Sequence, residues 1–283
     1  MPEPKVLLRG LGIPESPRWH EGRLWFCNWI DQQVVAVALD GQAEVMRTGV
    51  PTPMGWSIDW LPDGRLLVTG DKLRRQEPDG SMVTHAEQGA NEIVVDGRGN
   101  VYLDGADFDF GAGEAPKPGY IKLVTPDGAL RQVADDIQFP NGMVITPDNR
   151  TLIIAESFAG RLTAFDIGPD SGLSHRRVFA DHLGPDGICL DAEGAVWVST
   201  AGNSVVRVAE GGDVLQRAEL GENRGTVCDD ARWRGPANAV HPDGRMAAGR
   251  RHRHQPRTPD QRPSHRRDPD TPGVCARRRQ AMT

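Results

Sequence analysis

Four polar side chains recur at nearly one place in a repeated phrase. Glu15 stands seven residues before Gly22, while Asn91, Asn141 and Asp186 each stand eight residues before Gly99, Asn149 and Gly194. In a fifth copy the place belongs to Trp56, eight residues before Gly64. Taken singly, Asn141 in Pro-Asn-Gly and Asp186 in Pro-Asp-Gly read as turn formers. Their shared phase points elsewhere. Two carboxylates and two amides facing one narrow space would carry a large desolvation cost, and a bound cation would satisfy all four. An all-oxygen donor set with two negative charges suits calcium, magnesium or manganese, with water completing the shell. Zinc fits less naturally without His or Cys.

The elements that must position these residues follow from the repeat itself. SPRWHEGRLWFCN at 16–28, DWLPDGRLLVTG at 59–70, VVDGRGNVYLDG at 94–105, VITPDNRTLIIAE at 144–156 and CLDAEGAVWVST at 189–200 share one pattern. Each is a β-rich strand, a turn with Gly or Asn, and a second β-rich strand, because a tight hairpin requires a positive φ that these residues adopt. The turn markers are 42, 35, 50 and 45 residues apart. Further β-like stretches lie between the hairpins, and no segment of helical length shows a 3.6-residue period. Four short strands per repeat predict an all-β fold, a β-propeller with five blades legible by about Leu220 and a sixth expected after them. The first strand of each blade lines the channel, so residues at one phase form a ring around the axis.

Through these residues the chain resembles the family of senescence marker protein (regucalcin), gluconolactonases and LRE-like proteins. The matching phrases are Gly12-Ile13-Pro14-Glu15-Ser16-Pro17-Arg18-Trp19, Asn91-Glu92-Ile93-Val94-Val95-Asp96, Phe139-Pro140-Asn141-Gly142-Met143 and Gly184-Pro185-Asp186-Gly187-Ile188-Cys189-Leu190-Asp191. Together they cover about residues 8–225. The resemblance implies a six-bladed propeller with one divalent metal on its axis. It implies Glu15, Asn141 and Asp186 as metal ligands, Asp186 as general base, and Asn91 as a further ligand or a substrate contact. Asn91 follows Gly89-Ala90, where sugar-lactone members commonly present an Arg, so the substrate is not inherited with the motif.

The leading expectation is a metal-dependent lactonase that opens a sugar lactone or similar ring with metal-activated water. No GxSxG elbow offers a nucleophilic route. A phosphotriesterase-like hydrolase on the same scaffold and a non-catalytic calcium-binding propeller are the alternatives. Trp56 is expected on the pocket wall and Asp107 and Phe108 on its rim. Trp19, Trp25, Trp29 and Trp60 are expected mostly in the core. His20, His85, His175 and His182 are expected on surface turns or loops.

Composition divides the chain in two. Residues 226–283 hold thirteen Arg, no Lys, six Asp and seven Pro, a net charge of +7, whereas residues 1–225 carry −13. Apolar residues nearly vanish after His241. The reading is a lactonase-like propeller domain over 1–225 and an Arg/Pro/His-rich tail over 226–283. That tail has the composition of a GC-rich gene read out of frame after about Gly225, and no sixth blade is expected from it. Cys27, Cys189, Cys228 and Cys275 lie far apart without metal-ligand spacing, so they read as isolated small hydrophobes. Apolar runs too short to span a bilayer, and a start without a signal-length apolar run, predict a cytoplasmic protein that engages neither membrane nor nucleic acid.

Overall fold

Five turn markers hold the backbone where the repeat requires it: φ is +76° at Gly22, +86° at Gly64, +85° at Gly99, +57° at Asn149 and +81° at Gly194. A Cβ added at Gly22, Gly64 or Gly194 would meet nothing within 4 Å. Conformation therefore requires glycine there, rather than lack of space. Beside four of these turns an aspartate closes an Asx-turn. Arg65, Arg98, Arg150 and Glu193 each donate a backbone N–H to the Oδ1 of Asp63, Asp96, Asp148 and Asp191, at 2.9–3.1 Å.

The computed structural model describes residues 5–50, 55–108, 112–200, 204–220 and 245–246. After a short β1 (Lys5–Val6), twenty strands form five antiparallel four-stranded meanders, the five blades expected. Blade 1 comprises β2 (Pro14–His20), β3 (Arg23–Asn28), β4 (Gln33–Val37) and β5 (Ala43–Thr48). Blade 2 comprises β6 (Ile58–Trp60), β7 (Leu66–Val68), β8 (Leu73–Gln76) and β9 (Met82–Ala86). Blade 3 comprises β10 (Ile93–Val95), β11 (Val101–Ala106), β12 (Gly119–Val124) and β13 (Leu130–Ile137). Blade 4 comprises β14 (Pro140–Ile145), β15 (Thr151–Glu156), β16 (Arg161–Ile167) and β17 (Leu173–Ala180). Blade 5 comprises β18 (Pro185–Leu190), β19 (Val196–Thr200), β20 (Ser204–Val208) and β21 (Val214–Glu219). The inner strands follow one another around the axis, β2 against β6, β6 against β10, β10 against β14 and β14 against β18.

Blades 2, 3 and 4 bury both faces against their neighbours, and the second strands accordingly read as continuous apolar runs rather than alternating ones. Trp25, Cys27, Val34 and Ala36 of blade 1 pack on Ile58, Trp60, Leu66 and Val68 of blade 2. Three further clusters repeat this between blades 2 and 3, 3 and 4, and 4 and 5. The opposite face of blade 1, Leu24, Phe26, Val35 and Val37, packs with Leu7, Leu8, Leu11 and Trp19. The opposite face of blade 5 carries a separate buried cluster of Cys189, Trp197, Val205 and Leu220.

The expectation that residues after about 225 add no sixth blade falls almost wholly outside the described residues. Of that stretch only β22 (Arg245–Met246) is described, paired in parallel with β1. Cys228 and Cys275 also lie outside them, whereas Cys27 and Cys189 are buried free cysteines, as expected. Among the described residues no helix is long and apolar enough to cross a membrane.

Candidate active site

Three inner strands begin with the same two-residue device. β2, β14 and β18 open on Pro14, Pro140 and Pro185, each buried, and the next residue is Glu15, Asn141 or Asp186, each half-exposed. The prolines pair with Asn28, Glu156 and Thr200. In every case the register then slips within three residues, between Glu15 and Arg18, Pro140 and Met143, and Pro185 and Ile188. A bulge bends its strand and re-aims the side chain at that point. The sequence phase therefore corresponds to one backbone device on three blades, located where the inner strands enter the channel.

Asn141 and Asp186 are in direct contact, the amide Nδ2 donating to Asp186 Oδ1 at 2.6 Å across the junction of blades 4 and 5. Asn141 Oδ1 accepts the Gly142 N–H at 3.0 Å. Gly142 itself lies so close to the Asp186–Ile188 backbone that a Cβ there would sit 2.6 Å from Ile188 N, which explains the glycine of Pro-Asn-Gly. Glu15 pairs with Cys27 on β3, and its carboxylate charge is felt by the Cys27 thiol. Burial, then the charge of Glu92, pushes that thiol well above its ordinary pKa. A buried neutral thiol is not a nucleophile.

Asn91 precedes β10, and its Oδ1 lies 3.8 Å from the position a Cβ on Gly55 would take. Its side chain also bonds Asp104, whose carboxyl is pushed well above the usual range by burial, with the Glu92 charge adding to the effect. Asp104 Oδ1 accepts the Glu92 N–H at 2.7 Å, and its Oδ2 has no hydrogen-bond partner among the described residues.

Glu92 belongs to an arrangement the sequence reading passed over. It accepts Arg18 Nη2 at 2.7 Å and Ser16 Oγ at 3.0 Å, and the same Nη2 reaches Ile93 O at 2.8 Å. Arg18 and Glu92 are both buried. Arg18 lies on blade 1 and Glu92 at the head of blade 3, so this ion pair passes over blade 2 and braces the channel. It ties the neighbour of Glu15 to the neighbour of Asn91, while Ser16 holds a φ of +48°. The available signal was an Arg and a Glu embedded in otherwise buried inner-strand segments, which only a partner across the channel explains.

Trp56 does not stand on a pocket wall in this structure. It is fully buried in the core between blades 1 and 2, and Trp29 Nε1 donates to its carbonyl at 2.7 Å. The inner pair β6–β7 runs without a register slip, and Gly55 rather than proline precedes Trp56. Asp107 and Phe108 follow β11 as expected; Asp107 is exposed, and its carbonyl accepts Lys117 Nζ at 3.0 Å. Phe108 lies 6.0 Å from Phe139, which stacks on Phe158 at 4.2 Å. The histidines correct their expectation. His20 ends β2 stacked on Trp60 at 4.0 Å, and His85 and His175 lie within strands, so only His182 lies in a loop.

Glu15, Asn141 and Asp186 fit a divalent cation by donor chemistry. Among the described residues no three of His, Cys, Asp or Glu gather as a metal group, so such a site depends on the amide completing two carboxylates. A half-turn of the Asn141 amide exchanges its nitrogen for its oxygen on the side facing Asp186.

With this geometry in place, relatives are informative. The family model described as SMP-30/Gluconolactonase/LRE-like region matches residues 13–229, and the chain belongs to that family. Regucalcin of Xenopus laevis is 27% identical over 236 residues, covering 76% of this chain and 78% of that protein. A gluconolactonase structure from Xanthomonas campestris superposes with a TM-score of 0.66 at 22% identity, covering 79% of this chain and 82% of the other. A regucalcin from Agrobacterium tumefaciens, described as a calcium-binding protein, gives 0.64 at 23% identity and 77% of each chain. At those identities the two structures speak for the fold. The family's propellers have six blades, five of which are described in this chain.

Proposed function

We propose that this chain is a divalent-metal-dependent hydrolase that opens a lactone. The observation that supports the reading is the common device on β2, β14 and β18, which sets Glu15, Asn141 and Asp186 at the start of three inner strands, each after a buried proline. A cation held by these oxygens would supply Lewis acidity for the lactone carbonyl and for a water beside it. Asp186 is the group that takes the proton of the attacking water, and the Asn141 amide orients its carboxylate through the 2.6 Å bond. Asn91, fixed through Asp104, presents an amide to the bound ring. Family membership, and likeness to proteins described as gluconolactonase and as calcium-binding regucalcin, support the same reading.

The test is lactone opening followed by pH-stat, with and without added calcium, magnesium, manganese or zinc, beside a phosphotriester under the same conditions. Metal-dependent opening of a lactone is expected. Metal binding without turnover would favour a calcium-binding module, and faster phosphotriester cleavage would favour the other hydrolase.

A further inference from the structure

The surroundings of the candidate site are unequal in chemistry. On the blade 2 side Trp56 is buried, and Gly89 and Ala90 lead into Asn91. A side chain at Gly89 is excluded, because its Cβ would lie 2.2 Å from the Gly70 carbonyl oxygen and 2.9 Å from Asp71 backbone atoms. Ala90 is buried in the apolar core between blades 2 and 3. Nearby polar groups already engage one another. Lys122 Nζ donates to Gln88 Oε1 at 2.7 Å and lies 4.4 Å over the Tyr120 ring, and Gln88 Nε2 donates to Gly89 O at 2.9 Å. Among the described residues Trp56 Nε1 and Asp104 Oδ2 on this side lack partners but are buried, so few accessible hydrogen-bonding groups face a hydroxyl-rich ring there.

Between blades 3 and 4 the mouth is aromatic. Phe108 follows β11, Phe139 precedes β14 and Phe158 sits in the turn between β15 and β16. In a meander blade these three connections share the end at which the inner strands begin, the end carrying Glu15, Asn91, Asn141 and Asp186. Phe139 is two residues before Asn141, with φ +58°. Its loop is clamped by Ser157 N to Phe139 O at 3.0 Å and Phe158 N to Gln138 O at 3.1 Å. The Phe139 and Phe158 rings stack at 4.2 Å with planes 15° apart, and Phe158 remains 53% exposed. The backbone clamp thus holds the stacked pair at the end of blade 4 where β14 begins, with Phe139 two residues before Asn141 and Phe158 exposed.

We propose that the site takes lactones bearing an apolar chain or ring in preference to polyhydroxylated ones, and that Phe158, stacked on Phe139, is the specificity-determining wall that receives the apolar group. The proposal rests on the lactonase reading and deepens it. Transfer of an alkyl chain from water onto such a wall is favourable in proportion to the apolar area covered, whereas sugar hydroxyls would lose water there without replacement partners.

The experiment compares kcat/KM for δ-decalactone, δ-valerolactone and glucono-δ-lactone in the full chain and in Phe158→Ala. The wild type should favour δ-decalactone over glucono-δ-lactone at least tenfold. Phe158→Ala should lower the δ-decalactone value about tenfold, leave δ-valerolactone within twofold and lower Tm by no more than about 5 °C, the effect of one lost aromatic stack. Equal loss on all three lactones, or a preference for glucono-δ-lactone, would overturn the wall. So would a concentration-dependent dimer lost in Phe158→Ala, since it would assign the ring to a self-contact. A separate arm measures binding of the lactam 6-pentylpiperidin-2-one by saturation-transfer NMR. Binding to wild type but not to Phe158→Ala supports the wall even if no lactone is opened, in which case the reaction assignment alone fails. Lactam binding indifferent to Phe158 overturns the wall whatever the turnover.

Discussion

At Asp186 a ligand role and a base role meet in one carboxylate, and substitution can separate them. Asp186→Asn keeps an oxygen donor and the size of the side chain but removes the proton acceptor. It should retain calcium affinity within about tenfold, a loss of about 1.4 kcal/mol, and lose lactone turnover by at least a hundredfold, read by calorimetry and pH-stat. Turnover at the wild-type rate would dismiss Asp186 as the base. Crystals soaked in calcium should place one ion about 2.3–2.6 Å from oxygens of Glu15, Asn141 and Asp186. A second prediction concerns the channel brace. Removing one member of a buried ion pair strands the other charge, at a cost of about 3–5 kcal/mol, whereas replacing both by apolar groups of similar volume is often neutral. Glu92→Ala should therefore lower stability in urea far more than the double change Arg18→Met with Glu92→Leu. The double variant should also weaken calcium binding, since Ser16, beside Glu15, loses its bond to residue 92, beside Asn91.

Blade 4 shows how one element holds its part of the site. Glu156 ends β15 opposite Pro140, with its side chain fully buried. Burial by itself would raise its pKa. Hydrogen bonds from Thr163, Arg161, the Gln138 N–H and Arg176 outweigh that and leave it below the ordinary value. A carboxyl depressed in the folded state stabilises fully above its unfolded pKa, and the contribution disappears as pH falls through the folded value. Wild type should thus lose Tm on acidification below about pH 4.3, the unfolded Glu range, more steeply than Glu156→Gln. The two curves should converge in acid and stand furthest apart near neutrality. Parallel curves would mean that Glu156 is not the titrating brace. At this scale the bulges at Glu15, Asn141 and Asp186 belong to their strands rather than to the residues alone, and in blade 2, whose inner pair β6–β7 has no register slip, Trp56 lies in the core.

For the molecule as a whole, the two outer apolar faces decide. Leu24, Phe26, Val35 and Val37 on blade 1, and Cys189, Trp197, Val205 and Leu220 on blade 5, are the faces a sixth blade would join in this family. Residues 226–283 are rich in Arg and Pro and poor in apolar side chains. Replacing them with the in-frame translation of the same gene should raise soluble yield and lactone turnover together, measured on matched preparations. Unchanged yield and turnover would show that the present tail already serves the ring.

The repeat, its turns and the phase of Glu15, Asn91, Asn141 and Asp186 were legible in the sequence because they are local. A positive φ must be met by Gly or Asn wherever it occurs, and a strand pair with its turn occupies adjacent residues. Pro14, Pro140 and Pro185 were visible in the same way, although the register slip after each was not. What only the tertiary structure decided depends on residues far apart in the chain. Arg18 meets Glu92 across 74 positions, and Asn141 meets Asp186 across 45. Trp56 was misread because an inward phase and a fully enclosed site look alike along the chain. Gly89 gave no turn signal at all, since the close backbone that excludes its side chain belongs to Gly70 and Asp71. Periodicity reports which face of a strand a residue occupies, but only packing determines what that face meets.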